Sequence, residues 1–305
     1  MTTGGEGDFV VAIDVGGTKI ALATAGLDGT LLERRRLRTE AGRGAPQAVR
    51  RALAEAADLI ELTRARCGGR CLAAGAVSPG IVRDDRIDLV PTLPGWERLA
   101  LVPLLRDGLG LERVAVANDV KAAGEAEARW GSLRGADPAL YVSLGTGVAA
   151  ALVVGGRVVA GAHGAAGEVG YSLRGAAGER GAADGRAPLE EHVGGGAIGR
   201  RASRLLGADV SAERAFALAA TDPRARALVD ETLAELAVHV ANWAVLLDPA
   251  RVAVGGGLMR SAEVVLPALR SRIASAVPFP PELVAAAFVE DAALRGAVAL
   301  ALGAR

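Results

Sequence analysis

The sequence predicts an α/β protein of two domains, each built from a mixed β-sheet with helices packed against it. Three observations carry this prediction. The chain has 305 residues, which is enough for two hydrophobic cores. Apolar segments of strand length alternate with longer segments of helical periodicity. A pattern of strands and glycine turns near the beginning of the chain returns near its middle, which indicates an internal duplication.

The first copy of this pattern opens with Phe9 to Thr24, which reads FVVAIDVGGTKIALAT. An apolar run ends on Asp14, two glycines follow, and a second apolar run begins after Lys19, which predicts a strand, a tight turn and a returning strand. Glycine permits backbone angles that a side chain forbids, so the turn can bring its N–H groups against an anion. Thr18, Lys19 and Asp14 would complete a site for a phosphate chain, with Mg²⁺ held by Asp14 through water. From this stretch alone, an ordinary hairpin explains the pattern equally well.

The elements that follow predict how the first domain is built. Leu31 to Thr39 has the pattern of a third strand, Pro46 to Arg66 that of an amphipathic helix, and Leu72 to Val77 that of a buried strand. The last of these strands ends at Ser78-Pro79-Gly80. A β-β-β-α-β order of this kind predicts a mixed sheet with a helix on one face.

A carboxylate follows the next predicted strand at once. Val114 to Ala117 is a short apolar run, Asn118-Asp119 comes directly after it, and a helix is predicted from Val120 to Trp130. The carboxyl end of a strand that leads into a helix is where open α/β sheets place reactive groups. Asp is also a favoured helix N-cap, so the local sequence leaves a reactive role and a capping role open for Asp119.

The second copy of the pattern begins at Ala139. Leu140 to Leu144 predicts a strand, Gly145-Thr146-Gly147 a glycine turn, and Val148 to Val154 the returning strand. A third strand is predicted from Arg157 to Ala160. Two copies that face each other would place two glycine turns on opposite walls of a cleft, where each could bind part of a polyphosphate.

The rest of the chain predicts irregular backbone followed by regular α/β elements. Residues 161–199 are rich in glycine, which indicates a mobile loop or backbone that lines a ligand. Arg251 to Val254 predicts a strand that runs into Gly255-Gly256-Gly257, where a flat ring or a phosphate could lie close to the backbone. The remaining predicted elements are helices at Arg224 to Leu247, Ser261 to Val277 and Ala292 to Leu302 and a strand at Val284 to Val289.

Taken in order, these motifs resemble those of the ROK family of sugar kinases and related repressors, within the actin-like ATPase superfamily, over nearly the whole chain. Asp14 to Lys19 resembles the family's first phosphate motif, Leu144 to Gly147 its second, and Gly255 to Gly257 its adenosine motif. Gly167-Glu168-Val169-Gly170-Tyr171 resembles the segment that reads GEIGH in the family. The resemblance implies two ribonuclease-H-like domains with mixed sheets flanking a cleft. The small domain would comprise residues 1–117, completed by a terminal helix within residues 290–305, and the large domain residues 118–289.

By the same resemblance, Asp119 is the catalytic base that accepts the proton of a sugar hydroxyl as this hydroxyl attacks the γ-phosphate of ATP. The acceptor would be the primary 6-hydroxyl of a glucose-like hexose. The resemblance implies that the sugar is bound by Ser78, Gly80, Asn118, Asp119, Glu168, Tyr171 and Glu190. The residues implied for Mg²⁺ and ATP are Asp14, Gly16, Gly17, Thr18, Lys19, Gly145, Thr146, Gly147, Gly255, Gly256 and Gly257.

The sequence departs from the family at its zinc site. Family members usually combine the His of GEIGH with three cysteines, whereas here Tyr171 replaces that His and no cysteine follows Cys71. A tetrahedral structural zinc cannot lose three ligands, so no zinc is expected. Glu190 matches the family's glutamate after the last of these cysteines, with Glu191 as the alternative if the loop is shifted. The departure suggests a specialised acceptor, such as the amino-hexose kanosamine or a C7 cyclitol in an antibiotic pathway, with a general glucokinase as the alternative.

Composition restricts the partners that are expected. The 35 basic and 35 acidic side chains give a net charge of +0, which directs the chain neither to nucleic acid nor to a membrane. Only 13 residues precede Asp14, too few for the helix-turn-helix domain of a ROK repressor, although a non-catalytic sugar sensor stays an alternative. Two cysteines and the lack of a signal peptide predict a reducing, cytoplasmic location. Homodimers are common in the family.

Overall fold

The structure is a computed structural model that describes residues 5, 7–83, 85–90 and 95–304. Most of the N-terminal lead, and Pro91 and Pro94 of an irregular stretch in the sequence, lie outside these residues. The chain divides into two compact units. The first unit comprises Met1–Ala126, Ala162–Gly164 and Asp291–Arg305, and the second comprises Glu127–Gly161 and Ala165–Glu290. The α/β class and the two mixed sheets predicted from the sequence are confirmed.

The described residues form strands and helices in the following chain order. The strands are β1 Phe9–Val15, β2 Lys19–Gly26, β3 Leu31–Arg38, β4 Cys71–Ser78, β5 Ile81–Val82, β6 Ile87–Asp88, β7 Val114–Asn118, β8 Ala139–Leu144, β9 Val148–Val154, β10 Arg157–Val158, β11 Arg251–Gly255 and β12 Glu282–Ala285. The helices are α1 Ala45–Cys67, α2 Leu101–Leu109, α3 Asp119–Trp130, α4 Glu190–Val193, α5 Gly195–Leu206, α6 Ala212–Leu218, α7 Pro223–Leu247, α8 Ala262–Ala276 and α9 Ala292–Ala304.

The sheet of the first unit has the order β3-β2-β1-β4-β7. β1 pairs antiparallel with β2 and parallel with β4, and β4 pairs parallel with β7. Strand β1 is central, and its alternating side chains are buried on both faces. Val11 and Ile13 belong to one buried cluster with Ala56 and Leu59 of α1, whereas α9 packs on β1 and β4.

The register of this sheet places three residues in one row. Asp14 of β1 lies opposite Ala21 of β2, and Ala21 lies opposite Arg36 of β3. Side chains in one row point to the same face of a sheet, so Asp14 and Arg36 share a face and are separated only by an alanine. The neighbouring Arg35 points to the other face, where it pairs with Glu55 of α1 at 3.0 Å.

The sheet of the second unit repeats this arrangement in the order β10-β9-β8-β11-β12. β8 pairs antiparallel with β9 and parallel with β11, which in turn pairs parallel with β12. Its core is built from β8, β11 and the helices α5 to α8, with Leu140, Ile198, Val240 and Leu269 among its most buried side chains. The predicted duplication therefore corresponds to two sheets with the same β-β-β start.

The last strand differs from its predicted range. The sequence predicted Val284 to Val289, but β12 ends at Ala285. The next amide, Ala286, still donates to Val254 at 2.8 Å, whereas the amides of Ala287 and Phe288 donate to the fully buried carboxylate of Glu127 at 3.1 and 2.8 Å. The strand ends because a side chain takes over its hydrogen bonds.

Helix α9 approaches both the first sheet and α3 so closely that only glycine fits at one contact with each. A Cβ on Gly75 of β4 would lie 1.9 Å from the carbonyl oxygen of Ala297, and one on Gly296 of α9 would lie 2.1 Å from the carbonyl oxygen of Ala122. Real Cβ atoms do not approach backbone oxygen this closely, so the helix would have to move away. These glycines allow α9 to pack on the sheet and on α3.

Two glycines of α9 give a matched test of this packing. We expect Gly296→Ala to lower the free energy of unfolding by about 3 kcal/mol through overpacking. Gly303→Ala, in the same helix with nothing within 4 Å of the new methyl group, should leave it unchanged or raise it by up to about 1 kcal/mol. Urea unfolding of both variants measures the difference. Equal effects of the two substitutions would contradict the packing described.

Candidate active site

In the first unit, the glycine turn after β1 is tied to the end of β3. The amide of Gly16 donates to the carbonyl of Lys19 at 2.9 Å, and the hydroxyl of Thr39 donates to the carbonyl of Gly16 at 2.6 Å. Thr39 also donates its amide to the carbonyl of Thr18 at 3.0 Å. These bonds hold the backbone of the turn, while Gly17, Thr18 and Lys19 remain exposed.

The prediction that the glycines of the first turn adopt backbone angles forbidden to a side chain is wrong. Neither Gly16 nor Gly17, nor Gly145 or Gly147 of the second turn, has a positive φ angle. Only Gly16 and Gly147 are closely packed, whereas Gly17 and Gly145 border open space. A Cβ on Gly17 or Gly145 would meet nothing within 4 Å, so each glycine leaves open space beside the backbone where a bulky anion can approach.

Asp14 lies at the end of β1 in an environment that disfavours its charge. Burial, and secondarily the repulsion of Asp119, raise the pKa of Asp14 to about 7 against opposing effects of Lys19 and Arg36. Two carboxylates that repel each other would be stabilised by a cation, and hard oxygen ligands suit Mg²⁺. The residues present therefore fit a Mg²⁺ ion held by carboxylate, water and phosphate oxygens.

Asn118 and Asp119 lie at the junction of β7 and α3. The side-chain oxygen of Asn118 accepts the amides of Val120 and Lys121 at 2.9 and 3.1 Å, and its nitrogen donates to the carbonyl of Gly80 at 2.9 Å. Asp119 begins α3, accepts the amide of Val120 at 2.9 Å and stays partly exposed. Both roles left open for Asp119, capping and reaction, are compatible with this position.

Ser78 and Gly80 support this junction. Ser78 is fully buried, and its hydroxyl accepts the indole N–H of Trp96 at 2.6 Å. Because this hydroxyl is withdrawn from solvent, we expect Ser78 to position the strand end rather than to contact a ligand. Gly80 has φ 86° and packs against Val90, so its carbonyl is directed toward Asn118.

In the second unit, the turn between β8 and β9 is bonded to the start of α5. The amides of Gly195 and Gly196 donate to the carbonyls of Gly145 and Thr146, each at 2.9 Å. A carboxylate contacts the other side of the turn. Glu190 accepts the amide of Val148 at 3.2 Å, and a Cβ on Gly147 would lie 2.0 Å from its Oε2 atom.

Glu190 and Glu191 differ in their contacts within the chain. Glu191 accepts the Arg186 guanidinium on both carboxylate oxygens and the amide of Ala187 at 3.0 Å. The bond from Arg186 is the largest cause that lowers the pKa of Glu191 to about 2. The carboxylate of Glu191 is therefore bonded to Arg186 and to the amide of Ala187. Glu190 is the glutamate that faces the glycine turn.

Tyr171 lies in the same electrostatic environment as two carboxylates. Burial raises the pKa of Tyr171, and the charges of Glu190 and Glu168 raise it further. Gly170 brings the backbone beside Glu190, since a Cβ there would lie 3.1 Å from the Cβ of Glu190. Glu168, Tyr171 and Glu190 thus form one acidic group in the second unit.

The triple glycine after β11 divides into packed and open positions. A Cβ on Gly255 would lie 2.6 Å from the Tyr141 hydroxyl, and one on Gly256, which has φ 88°, would lie 2.5 Å from the carbonyl of Leu144. Gly257 has nothing within 4 Å and is exposed. The motif packs against the strand that precedes the second glycine turn and leaves one open backbone position beside it.

Comparison with known proteins extends these observations to the whole chain. The profile of the ROK family matches residues 10–304. The kanosamine kinase of Amycolatopsis mediterranei (strain S699) is 32% identical over 300 residues, which cover 96% of each chain. The chain belongs to the ROK family. The resemblance inferred from the motifs is confirmed.

Two further proteins show what else this ROK chain is similar to. The N-acetylmannosamine kinase of Shigella boydii serotype 18 (strain CDC 3083-94 / BS512) is 33% identical over 299 residues, which cover 96% of this chain and 98% of that protein. A ROK family glucokinase from Streptomyces griseus, solved in complex with glucose and AMPPNP, has a TM-score of 0.76 and 26% identity. The match covers 96% of this chain and 99% of that chain.

The donor set of this ROK chain does not fit the family's zinc. Within the described ranges, no three or more His, Cys, Asp or Glu side chains are grouped so that they could hold a metal ion. By the motif resemblance, Tyr171 stands where histidine is expected, and Cys67 and Cys71 belong to the first unit. None of the helices described is long and apolar enough to span a bilayer.

Two arginines that contribute to the electrostatics of these carboxylates were not predicted from the sequence. Arg36 shares the face of Asp14 and lowers its pKa, a relation visible only once the strand register is known. The partner of Glu191, Arg186, lies in a segment that the sequence left as irregular. An arginine five residues before a glutamate is too common a pattern to have identified this pair.

The raised pKa of Asp14 predicts a pH-dependent difference in stability. A carboxyl group whose folded pKa is above its unfolded value of 3.8 stabilises the fold fully below pH 3.8 and loses this contribution as the pH rises through about 7. Because asparagine does not ionise, we expect the stability of Asp14→Asn not to fall in this way as the pH rises. Its free energy of unfolding relative to the wild type should rise by about 3 kcal/mol between pH 4.5 and pH 7.5.

The measurement is urea unfolding without Mg²⁺ or nucleotide at both pH values. Asp107→Asn, at an exposed position of α2, is the control and should show the same difference from the wild type at both. A constant difference for Asp14→Asn as well would mean that Asp14 is not destabilised by its environment.

Proposed function

We propose that this ROK chain is an ATP-dependent sugar kinase that transfers the γ-phosphate to the primary 6-hydroxyl of a glucose-like hexose. The single observation that carries the proposal is the position of Asp119, partly exposed at the junction of β7 and α3 and electrostatically coupled to Asp14. Two kinases among the relatives, and a related glucokinase solved with an ATP analogue, support the reaction class.

In this proposal, Asp119 orients the acceptor hydroxyl and accepts its proton while the hydroxyl oxygen forms a bond to the γ-phosphorus and ADP leaves. Phosphoryl transfer needs an aligned nucleophile and neutralised charge more than covalent help from the protein. A positioned carboxylate supplies the orientation and the general base. Asn118 would keep Asp119 in place, because its side chain fixes both the first turn of α3 and the backbone at Gly80.

The groups that would bind ATP come from the glycine turns. Gly17 and Gly145 leave space for the phosphates beside open backbone, Lys19 and Thr18 are exposed beside the first turn, and Gly257 is open next to the second. Asp14 would hold Mg²⁺ through water, and Mg²⁺ would neutralise charge on the phosphates of ATP. Lys19 and Arg36 would add positive charge on the same side.

We further propose that the acceptor is an amino-hexose such as kanosamine, in antibiotic biosynthesis. The acidic group of Glu168, Tyr171 and Glu190 would stabilise a positively charged amine, because two carboxylates close enough to raise the pKa of a tyrosine also favour an ammonium ion. One relative, 32% identical to this chain, is a kanosamine kinase by name. Another, 33% identical, is an N-acetylmannosamine kinase by name, and the acylated nitrogen of that sugar is uncharged. A general glucokinase or a C7-cyclitol kinase is the alternative.

A second candidate function is a non-catalytic sugar sensor, since a sugar can bind without any transfer. The partly exposed Asp119 and the open glycine turns favour catalysis, because a sensor needs neither. The absence of nucleic-acid binding, a homodimer and a cytoplasmic location stay predictions.

Asp119→Asn should reduce phosphoryl transfer by about 10²- to 10⁴-fold, because the amide cannot accept the proton. Sugar binding, measured by calorimetry without ATP, should change less than about threefold, since the amide keeps the shape and most hydrogen bonds. Asp107→Asn is the control with unchanged turnover. Substantial turnover by Asp119→Asn would mean that the base is a different residue.

A panel of acceptors tests the specificity. With ATP and Mg²⁺, we expect kcat/KM for kanosamine to exceed that for glucose and for a C7 cyclitol by at least about tenfold, which corresponds to one charge-assisted contact. Glucosamine, which carries its amine at another carbon, tests whether the position of the amine matters as well as its charge. Formation of ADP and of the phosphorylated sugar are measured together. A clear preference for glucose would replace the amino-hexose by the glucokinase alternative, and ADP formation from none of them would contradict the kinase assignment.

A further inference from the structure

Residues 172–189 join the acidic group of Tyr171 to helix α4, and we call them the connecting segment. In zinc-containing ROK proteins this part of the chain is expected to carry the metal ligands, which are lacking here. The segment nevertheless has defined hydrogen bonds along its length. The amide of Asp184 donates to the carbonyl of Gly181 at 2.9 Å, and the amide of Arg186 donates to the same carbonyl at 3.2 Å.

The end of the segment is fastened to α4 by one carboxylate. Arg186 Nε lies 2.9 and 2.8 Å from the two carboxylate oxygens of Glu191, and its Nη2 also donates to Glu191. Glu191 accepts the amide of Ala187 at 3.0 Å and donates its own amide to the carbonyl of Ala187 at 2.8 Å. Five contacts therefore fix the first turn of α4 to the residues before it.

The beginning of the segment is fastened by a second carboxylate and by helix α7. Glu179 accepts the amides of Arg174 and Gly175 at 2.6 and 3.2 Å. The side chain of Arg174 donates to Glu235 of α7 at 3.0 Å. Both ends are thus held by arginine–carboxylate pairs and by amides that donate to carboxylates, a combination that is stronger than neutral hydrogen bonds.

Glu190, which precedes Glu191 on α4, is a member of the acidic group. Glu190 contacts the turn at Gly147 and the amide of Val148, and its charge acts on Tyr171. Consecutive residues of a helix point about 100° apart, so a rotation of α4 that releases Glu191 also moves Glu190. The orientation of α4 is therefore coupled to the geometry of the acidic group.

We propose that the Arg186–Glu191 pair takes the place of zinc in this chain and is a positioning clamp for the acceptor site. It acts through α4, whose orientation sets the contact of Glu190 with the glycine turn and with Tyr171. Arg186 and Glu191 are positioning residues and do not touch the sugar. The effect on sugar binding rests on the proposed function, whereas the clamp itself does not.

The Arg186–Glu191 pair is exposed to dissolved ions, so its response to salt distinguishes it from a metal site. The side chains of Arg186 and Glu191 are 52% and 33% exposed. Interactions between exposed charges are screened as ionic strength rises, since the Debye length falls from about 10 Å at 0.1 M to about 3 Å at 1 M. Metal chelators should leave the clamp intact, and high salt should loosen it.

The test uses Arg186→Gln, Glu191→Gln, the double variant and Arg186→Lys. The matched control is Arg180→Gln, which removes an exposed pair with Asp184 at 3.4 Å from the same segment. Hydrogen–deuterium exchange of peptides covering residues 186–194 reports the clamp without any sugar or ATP. Steady-state kinetics report KM for the acceptor, KM for ATP and kcat.

We expect faster exchange in these peptides for both single variants and about a tenfold higher acceptor KM, with KM for ATP and kcat within about twofold. The double variant should cost no more than either single variant, because the residues act as one unit, and Arg186→Lys should lie between wild type and Arg186→Gln. Arg180→Gln should match the wild type. Sodium chloride at 1 M should reproduce the exchange of the single variants.

Unchanged exchange in the single variants, additive effects in the double variant, or equal effects of Arg180→Gln would overturn the proposal. Loss of protection on treatment with a zinc chelator would also overturn it. If exchange responds as expected while the wild type phosphorylates no sugar, the clamp stands and the proposed function fails, so the two failures are distinguishable.

Discussion

A charge withdrawn from water at the end of the central strand is the constraint around which the first unit is organised. Strand β1 is covered on both faces, so its one carboxylate, Asp14, loses hydration that nearby Lys19 and Arg36 only partly replace. The proximity of Asp119 adds to this cost. A neutral residue would make a more stable sheet, and an uncompensated charge in such a position is typical of a site where a ligand completes the electrostatics.

The two units use the same strand–turn–strand unit but support its turn by different means. In the first unit, the hydroxyl and amide of Thr39 hold the turn from the end of β3. In the second unit, two amides of α5 hold one side of the turn, and Glu190 holds the other. The duplicated backbone has therefore diverged in its supporting contacts, and the second turn is directly connected to the acidic residues that we assign to the acceptor.

The sequence was sufficient where local pattern decides structure. Apolar alternation and glycine turns predicted both sheets, and motif order predicted the family. Four outcomes depended on contacts distant in the chain. Glu127 shortened β12, strand register brought Arg36 beside Asp14, and the glycines of the turns proved to provide space rather than unusual angles. Helices α4 to α6 formed in or beside a glycine-rich region that local propensity marks as irregular, because burial in the second core outweighs that propensity.

The packing of α9 has a consequence for how the chain matures during its synthesis. The second unit is almost one continuous stretch, and all its strands and its core helices α5 to α8 are translated before α9. The first sheet, although made earliest, lacks the helix that contacts β1, β2, β4 and β7 until α9 has been translated. The face of this sheet that α9 covers must therefore wait through the synthesis of about half the protein, so the first unit is completed only after the strands and helices of the second unit have been translated.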